Sequence, residues 1–203
     1  MCANETQTSQ EDVSLRNLIV NDEHGLIYCY VPKAACTNWK RVMYVLKQNR
    51  SGSYMDPFTI SREITHSLQS LTYLQSLPKA EIEAKLKHYT KFLFVRDPFV
   101  RLISAYKDKF VGTNEVFYHN YGIGILQRYA HMPNPPYHVK DAFMLGIRPT
   151  FNHFIKYLLD PLTEKNYPYD EHWRQIHRLC HPCFIQYDFI GHIELCRMTL
   201  TFC

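Results

Sequence analysis

Tyr28 to Val42 reads YCYVPKAACTNWKRV, and the order of its parts decides the fold. Leu26 to Val31 is an apolar run of strand length. Pro32 to Cys36, which follows, is built from small residues and one lysine. A helix starts near Thr37, because Trp39, Val42, Met43 and Leu46 then fall on one face. Strand, tight loop and helix in this order suit a phosphate group. Small side chains let the backbone approach, and the first helical turn offers N–H groups with no acceptor inside the helix. Lys33 adds a mobile positive charge, and Thr37 a hydroxyl that caps the helix or bonds a phosphate oxygen. The pattern GxxxxGK[ST] is absent, which disfavours a Walker-type nucleoside triphosphatase.

Lys91 to Phe110, KFLFVRDPFVRLISAYKDKF, repeats the layout. Lys91 to Val95 reads as a short buried strand. Asp97 is a good N-cap, and Pro98 suits the first helical position. Phe99, Leu102, Ile103 and Tyr106 then recur at helical spacing. Arg96 leaves the strand at its carboxyl end, the edge where open α/β sheets bind ligands. Ser104 lies two turns into the helix, with Arg101 and Lys107 on neighbouring faces, and a guanidinium and a hydroxyl converging there could hold a second phosphate. Taken singly, either element also fits an ordinary helix start.

Outward from these elements, Leu18 to Val20 is a further strand, joined to Leu26–Val31 by a turn over Asn21 to Gly25. Ile64 to Tyr89 reads as helical, interrupted at Pro78, which suits the first turn of a new helix. His131 to Lys140 is a loop. Phe151 to Leu159 is a helix stopped by Asp160-Pro161, and Phe184 to Ile190 is the last strand. Strands alternating with helices predict an α/β fold with a central parallel sheet flanked by helices. Residues 1–14 are polar and aperiodic, a disordered N-terminal segment.

The 203 residues fit one domain, and 46% hydrophobic content is ample for a core. A net charge of +4 favours anions without implying nucleic acid. No run approaches the roughly 20 apolar residues of a membrane span, and the N-terminus lacks a signal-peptide pattern. Seven cysteines make an odd number, so at least one thiol is free or paired between chains. Cys29, within LIYCYV, reads as a buried core thiol. Cys180 and Cys183 form a CHPC element compatible with a tight disulfide, half a metal site or a redox pair. Asn4 and Asn49 open glycosylation sequons, which lean towards a lumenal location.

VPKAACTNWKR resembles the 5′-phosphosulfate-binding loop of the carbohydrate sulfotransferases, and VRDPFVRLISAY their 3′-phosphate-binding element. KYLLDPLTEKNYPYDEHWRQIHRLCHPCFIQYDFIGHIE resembles the chondroitin/dermatan 4-O-sulfotransferase branch. The resemblance runs from about Leu18 to Glu194 and implies a P-loop-like sulfotransferase fold. Carried over position by position, Pro32, Lys33, Ala34, Ala35, Cys36, Thr37 and Asn38 line the 5′-phosphosulfate. Arg96, Asp97, Pro98, Phe99, Val100, Arg101, Leu102, Ile103 and Ser104 hold the 3′-phosphate, with Arg96 and Ser104 as the principal contacts. The implied donor is 3′-phosphoadenosine 5′-phosphosulfate. The implied acceptor is the 4-hydroxyl of N-acetylgalactosamine in chondroitin or desulfated dermatan, with no nucleic-acid partner. The family places its catalytic domain in the Golgi lumen behind an N-terminal membrane anchor, and this sequence shows neither that anchor nor the tail and stem around it. Family members also continue past the YDFIGHIE strand. The expectation is therefore a sulfotransferase domain over 15–194, incomplete at its C-terminus, with residues 195–203 as an atypical tail.

Sulfuryl transfer resembles phosphoryl transfer, so positioning and positive charge are the main needs. Lys33 is the candidate to neutralise the bridging oxygen. The acceptor hydroxyl must lose a proton, and His66, which matches a histidine of related glycosaminoglycan sulfotransferases, is the candidate base. No metal is expected. His172, His177, Cys180, His181 and Cys183 are close in sequence, but in a lumenal protein a Cys180–Cys183 disulfide or structural roles rank above zinc. The rival readings are a non-catalytic nucleotide- or glycan-binding module and a small-molecule kinase. The kinase is disfavoured because no Mg²⁺-binding acidic pair is visible.

Overall fold

A computed structural model of the chain describes residues 13–48, 55–67, 69–165 and 168–194. The Asn4 and Asn49 sequons, most of the N-terminal segment and the 195–203 tail lie outside them. In chain order the elements are β1 (Leu18–Asn21), β2 (Leu26–Cys29), α1 (Cys36–Gln48), α2 (Arg62–His66) and β3 (Thr72–Tyr73). Next come α3 (Lys79–His88), β4 (Thr90–Val95), α4 (Pro98–Phe110), α5 (Glu115–Phe117) and α6 (Ile123–Tyr129). The remainder are α7 (Val139–Met144), α8 (Phe151–Leu159), α9 (His177–Cys180) and β5 (Phe189–His192). They form two compact units: the chain up to Asp97 together with that from Arg174 onward, and Pro98–Trp173.

The first unit carries a five-stranded sheet in the order β3-β1-β2-β4-β5. β2, β4 and β5 are parallel, as the alternation of strands and helices demands. β1 runs antiparallel to both β2 and β3, so the sheet is mixed rather than parallel throughout. The reason is the turn between β1 and β2, which is far too short for a crossover. It closes through Gly25 at φ 59° and through the Asn21 side chain, which accepts from the His24 N–H at 2.9 Å. Leu18, Ile19, Ile27, Tyr28 and Cys29 are fully buried, the near-continuous burial of strands covered on both faces. Trp39 and Met43 of α1, Ile82 and Leu86 of α3, and Leu179 of α9 pack into the same core. Tyr28 stacks on Phe92 at 5.1 Å and Trp39 on Phe94 at 4.3 Å.

Three expectations need correction here. Ile64–Tyr89 is not one interrupted helix. Thr72 and Tyr73 instead pair with Val20 and Ile19 as an edge strand, and Pro78 sits just ahead of α3 as its N-cap. Long-range pairing wins over local helical spacing there. The last strand starts at Phe189, not Phe184, because the amides of Phe184 and Ile185 are spent on the His181 carbonyl in a turn. Third, Cys180 pairs with Cys29, not with Cys183. Cys180 ends α9 with its side chain buried against the sheet, where Cys29 ends β2, and their Cα atoms are 5.9 Å apart. Cys29 is therefore not a core thiol, and Cys183 is disulfide-bonded elsewhere.

Among the described residues the second unit is helical. Phe154 is fully buried and packs with Tyr106, Phe110, Tyr157 and Trp173. Thr150 and His153 form a reciprocal capping box at the start of α8. The apolar stripe of α4 is shifted from the expected one. Leu102, Ala105, Tyr106 and Phe110 face the core, while Phe99 is 74% exposed and Ile103 is exposed as well.

Candidate functional site

In the first unit, β2 and β4 are adjacent parallel strands, so the loops that follow them leave the same sheet edge side by side. In the loop after β2, Lys33 has φ 69° and Ala35 φ 55°. Neither is glycine, and the left-handed region costs an ordinary residue roughly 1–2 kcal/mol. Such outliers persist where the surroundings fix them and mark functional loops. Here Ala34 is fully buried between them and donates its N–H to the Val31 carbonyl at 3.1 Å. Left-handed residues on either side of Ala34 give the alternation of backbone hand from which nests, concavities of backbone amides suited to anions, are built. The Ala35 carbonyl accepts from Asn38 and Trp39, which leads the loop into the positive end of α1.

Arg96, at the end of β4, donates from Nη1 to the Lys33 carbonyl at 3.1 Å, tying the second loop to the first. Its side chain is 19% exposed, and Glu194 is its counter-charge, with Oε1 3.8 Å from Nε. The same oxygen accepts from the Asp97 N–H at 3.2 Å. Glu194 follows β5, so all three neighbouring parallel strands send a charged residue to one edge.

His66 reaches this edge from outside the sheet. Its Nε2 lies 3.2 Å from Thr37 Oγ1, at the start of α1. Position 66 closes α2, whose N-cap, Ser61, accepts from the Ile64 N–H. Arg41 holds this region to α1, donating from Nε to the Ile60 carbonyl at 2.8 Å and from Nη1 to Asn38 Oδ1 at 3.1 Å. Thr65 is fully buried, which sets the rotation of α2 and leaves His66 at the surface.

The remaining residues assigned to the second phosphate element belong to the second unit. Arg101 is buried and donates from Nη2 to the Glu171 carbonyl at 2.8 Å, a structural use of its charge. Ser104 is half-buried, and Phe99, Val100 and Lys107 are exposed. Of the cysteine–histidine cluster, Cys180 is spent in its disulfide, and His172 bonds Asp170 at 2.6 Å.

Sequence reasoning missed Arg41, Glu194 and Lys40. Lys40 is buried, with Nζ 3.7 Å from the centroid of the Tyr30 ring. Lys40 and Arg41 stand together on a helix with an apolar face, which was a usable signal. Nothing in the sequence around Glu194 marks it. Chemically, the edge offers two cationic side chains, a helix N-terminus and strained amides for an anion, with a hydroxyl–imidazole pair beside them.

A family model described as "Sulfotransferase family" matches residues 16–198. The chain is 52% identical over 191 residues to carbohydrate sulfotransferase 12 of Xenopus laevis, covering 89% of the chain and 46% of that protein. It is 44% identical over 181 residues to carbohydrate sulfotransferase 11 of Rattus norvegicus, covering 89% and 49%. With carbohydrate sulfotransferase 14 of Homo sapiens the identity is 39% over 185 residues, covering 91% and 45%. The chain thus spans about half the length of the curated relatives it matches. No solved structure matches it.

Proposed function

The chain belongs to the sulfotransferase family, and from that premise we propose that it moves a sulfuryl group from 3′-phosphoadenosine 5′-phosphosulfate to the 4-hydroxyl of N-acetylgalactosamine in chondroitin-type glycans. One observation carries the reading: the left-handed Lys33 and Ala35 with Arg96 bonded across to the Lys33 carbonyl. A strained, cationic loop at a helix N-terminus fits the donor's 5′-phosphosulfate. Arg96 and Ser104 are assigned to its 3′-phosphate.

In the transfer, the acceptor oxygen forms a bond to sulfur as the bond from sulfur to the bridging oxygen breaks. The electron pair of that bond passes to the departing phosphate, where Lys33 and the amides of the loop meet the growing charge. His66 takes the hydroxyl proton, and its contact with Thr37 Oγ1 holds the imidazole at the loop. The Golgi lumen as its compartment is supported by the Cys29–Cys180 bridge, which needs an oxidising environment. Among the described residues no helix is long and apolar enough to cross a membrane.

The test is transfer of labelled sulfate from the donor to chondroitin, desulfated dermatan and other N-acetylgalactosamine polymers, followed by disaccharide analysis. The expected product is 4-sulfated N-acetylgalactosamine, lost in Lys33→Ala. Tight binding of adenosine 3′,5′-bisphosphate without transfer to any polymer would replace the enzyme with a nucleotide-binding module.

A further inference from the structure

We propose that Glu115, His119 and His138, on the second unit, form a binding site for a divalent transition-metal ion, zinc foremost. Their ligand atoms lie within 4.8 Å of one another. His119 Nε2 is 2.9 Å and His138 Nδ1 3.5 Å from the same oxygen, Glu115 Oε1. An ion held about 2.0–2.1 Å from tetrahedral ligands sets them roughly 3.3 Å apart. Two of the three separations are already near that value, and the third, between the two imidazoles, is no more than 4.8 Å.

The backbone explains why the three meet. Glu115 and His119 are four residues apart on one helical face, where α5 runs into a π-helical turn over Tyr118–Gly122. His138 is the N-cap of α7, and the Val139 N–H donates to Glu115 Oε1 at 3.4 Å, which fixes the register of the two segments. Tyr118 donates its hydroxyl to the Pro136 carbonyl at 2.7 Å, and the His119 ring packs on Tyr137 with centroids 4.6 Å apart. The carboxylate and one imidazole are therefore held before any ion arrives. The sequence reading placed no metal here, because His138 stands far from the other two along the chain.

The donor set selects the ion. Two imidazoles and a carboxylate suit zinc, copper or nickel and are a poor match for calcium or magnesium, which prefer oxygen ligands throughout. Both imidazole nitrogens already face the carboxylate oxygen; a neutral ring frees the facing nitrogen for an ion by carrying its one proton on the other nitrogen. His138 is 65% exposed, which leaves water access to a fourth position. The ion would staple α5 to the start of α7 and close the Pro-containing segment between them. The site does not depend on the transferase reading.

The test uses the whole chain, stripped with chelator and titrated with zinc chloride in a calorimeter, with thermal unfolding in parallel. One saturable zinc and a raised unfolding midpoint are expected, and cobalt in its place should show tetrahedral visible bands. Losing even an outer-sphere partner of a metal costs about 10–100-fold in affinity, so His119→Ala, His138→Ala and the milder Glu115→Gln should each weaken binding at least tenfold. The control His177→Ala/His181→Ala should leave it unchanged. No saturable binding by the unaltered chain, or equal binding by the ligand variants, would overturn the proposal.

Discussion

At the scale of single residues, the candidate site makes separable demands on Arg96 and His66. If Arg96 holds a 3′-phosphate, Arg96→Ala should lower affinity for adenosine 3′,5′-bisphosphate by roughly 1.5–3 kcal/mol, the worth of hydrogen bonds to charged groups. AMP affinity should change much less in the same calorimetric titrations. An equal loss for both nucleotides would mean that Arg96 only shapes the Lys33 loop. His66→Ala should cut kcat by about 10²–10⁴-fold while bisphosphate binding stays nearly intact. A fall of less than tenfold would leave the imidazole as a structural partner of Thr37. Tyr28 offers a stability test instead. Its hydroxyl is fully buried with no hydrogen-bond partner among the described residues, and burial pushes its pKa well above the usual phenol range. Tyr28→Phe should therefore raise the urea midpoint, by about 1 kcal/mol of stability.

At the scale of elements, the strained loop can be separated from its sequence. Ala35 at φ 55° tolerates glycine but not a β-branched side chain. Ala35→Gly should stay within about 0.5 kcal/mol of the unaltered chain, whereas Ala35→Val should lose roughly 1–3 kcal/mol and nucleotide affinity with it. Urea unfolding and calorimetry together decide this. The loop also marks the limit of what could be read in advance. Strand, small-residue loop and helix were visible from Leu26 to Leu46, and α8 was visible over its full span, because those signals are local periodicities and caps. The left-handed turns at Lys33 and Ala35 carry no glycine, so nothing in the sequence announced them. Strand β3 and the late start of β5 depend on partners far along the chain, as does the arrival of Glu194 beside Arg96. The Thr37–His66 contact is of the same kind: both residues were singled out, but only the seating of α2 by Arg41 and Thr65 brings them together.

At the scale of the whole molecule, pH acts through carboxylates whose folded pKa values lie below the usual range. For Asp22 the main cause is the hydrogen bond from Lys85, for Asp188 the Lys91 backbone N–H, and for Asp160 the Tyr129 hydroxyl. For Asp170 burial pushes upward, but hydrogen bonds from His172 outweigh it. A depressed folded pKa means that the unfolded chain binds the proton first on acidification. Stability from these groups is thus complete above the unfolded carboxylate pKa, near 4, and drains away as pH falls through the folded values. Urea midpoints should be flat near pH 6 and fall steeply below about pH 4; Asp22→Asn/Asp188→Asn should flatten that fall.

The Cys29–Cys180 bridge also imposes an order in time. The first sulfur leaves the ribosome 151 positions before its partner, a wait of about 8–30 s at common rates of synthesis. Throughout that wait Cys29 has a nearer suitor in Cys36, which is a free thiol in the folded chain and sits inside the candidate phosphate loop. A premature bond between them would lock that loop out of shape, and undoing it takes thiol–disulfide exchange on the scale of seconds to hours. A chain made in an oxidising compartment would then depend on isomerase supply as well as on the stability of the sheet. Cys36→Ser should raise the fraction of newly made chains bearing the native bridge, read by mass mapping of non-reduced peptides, and should make that fraction less sensitive to depletion of disulfide isomerase.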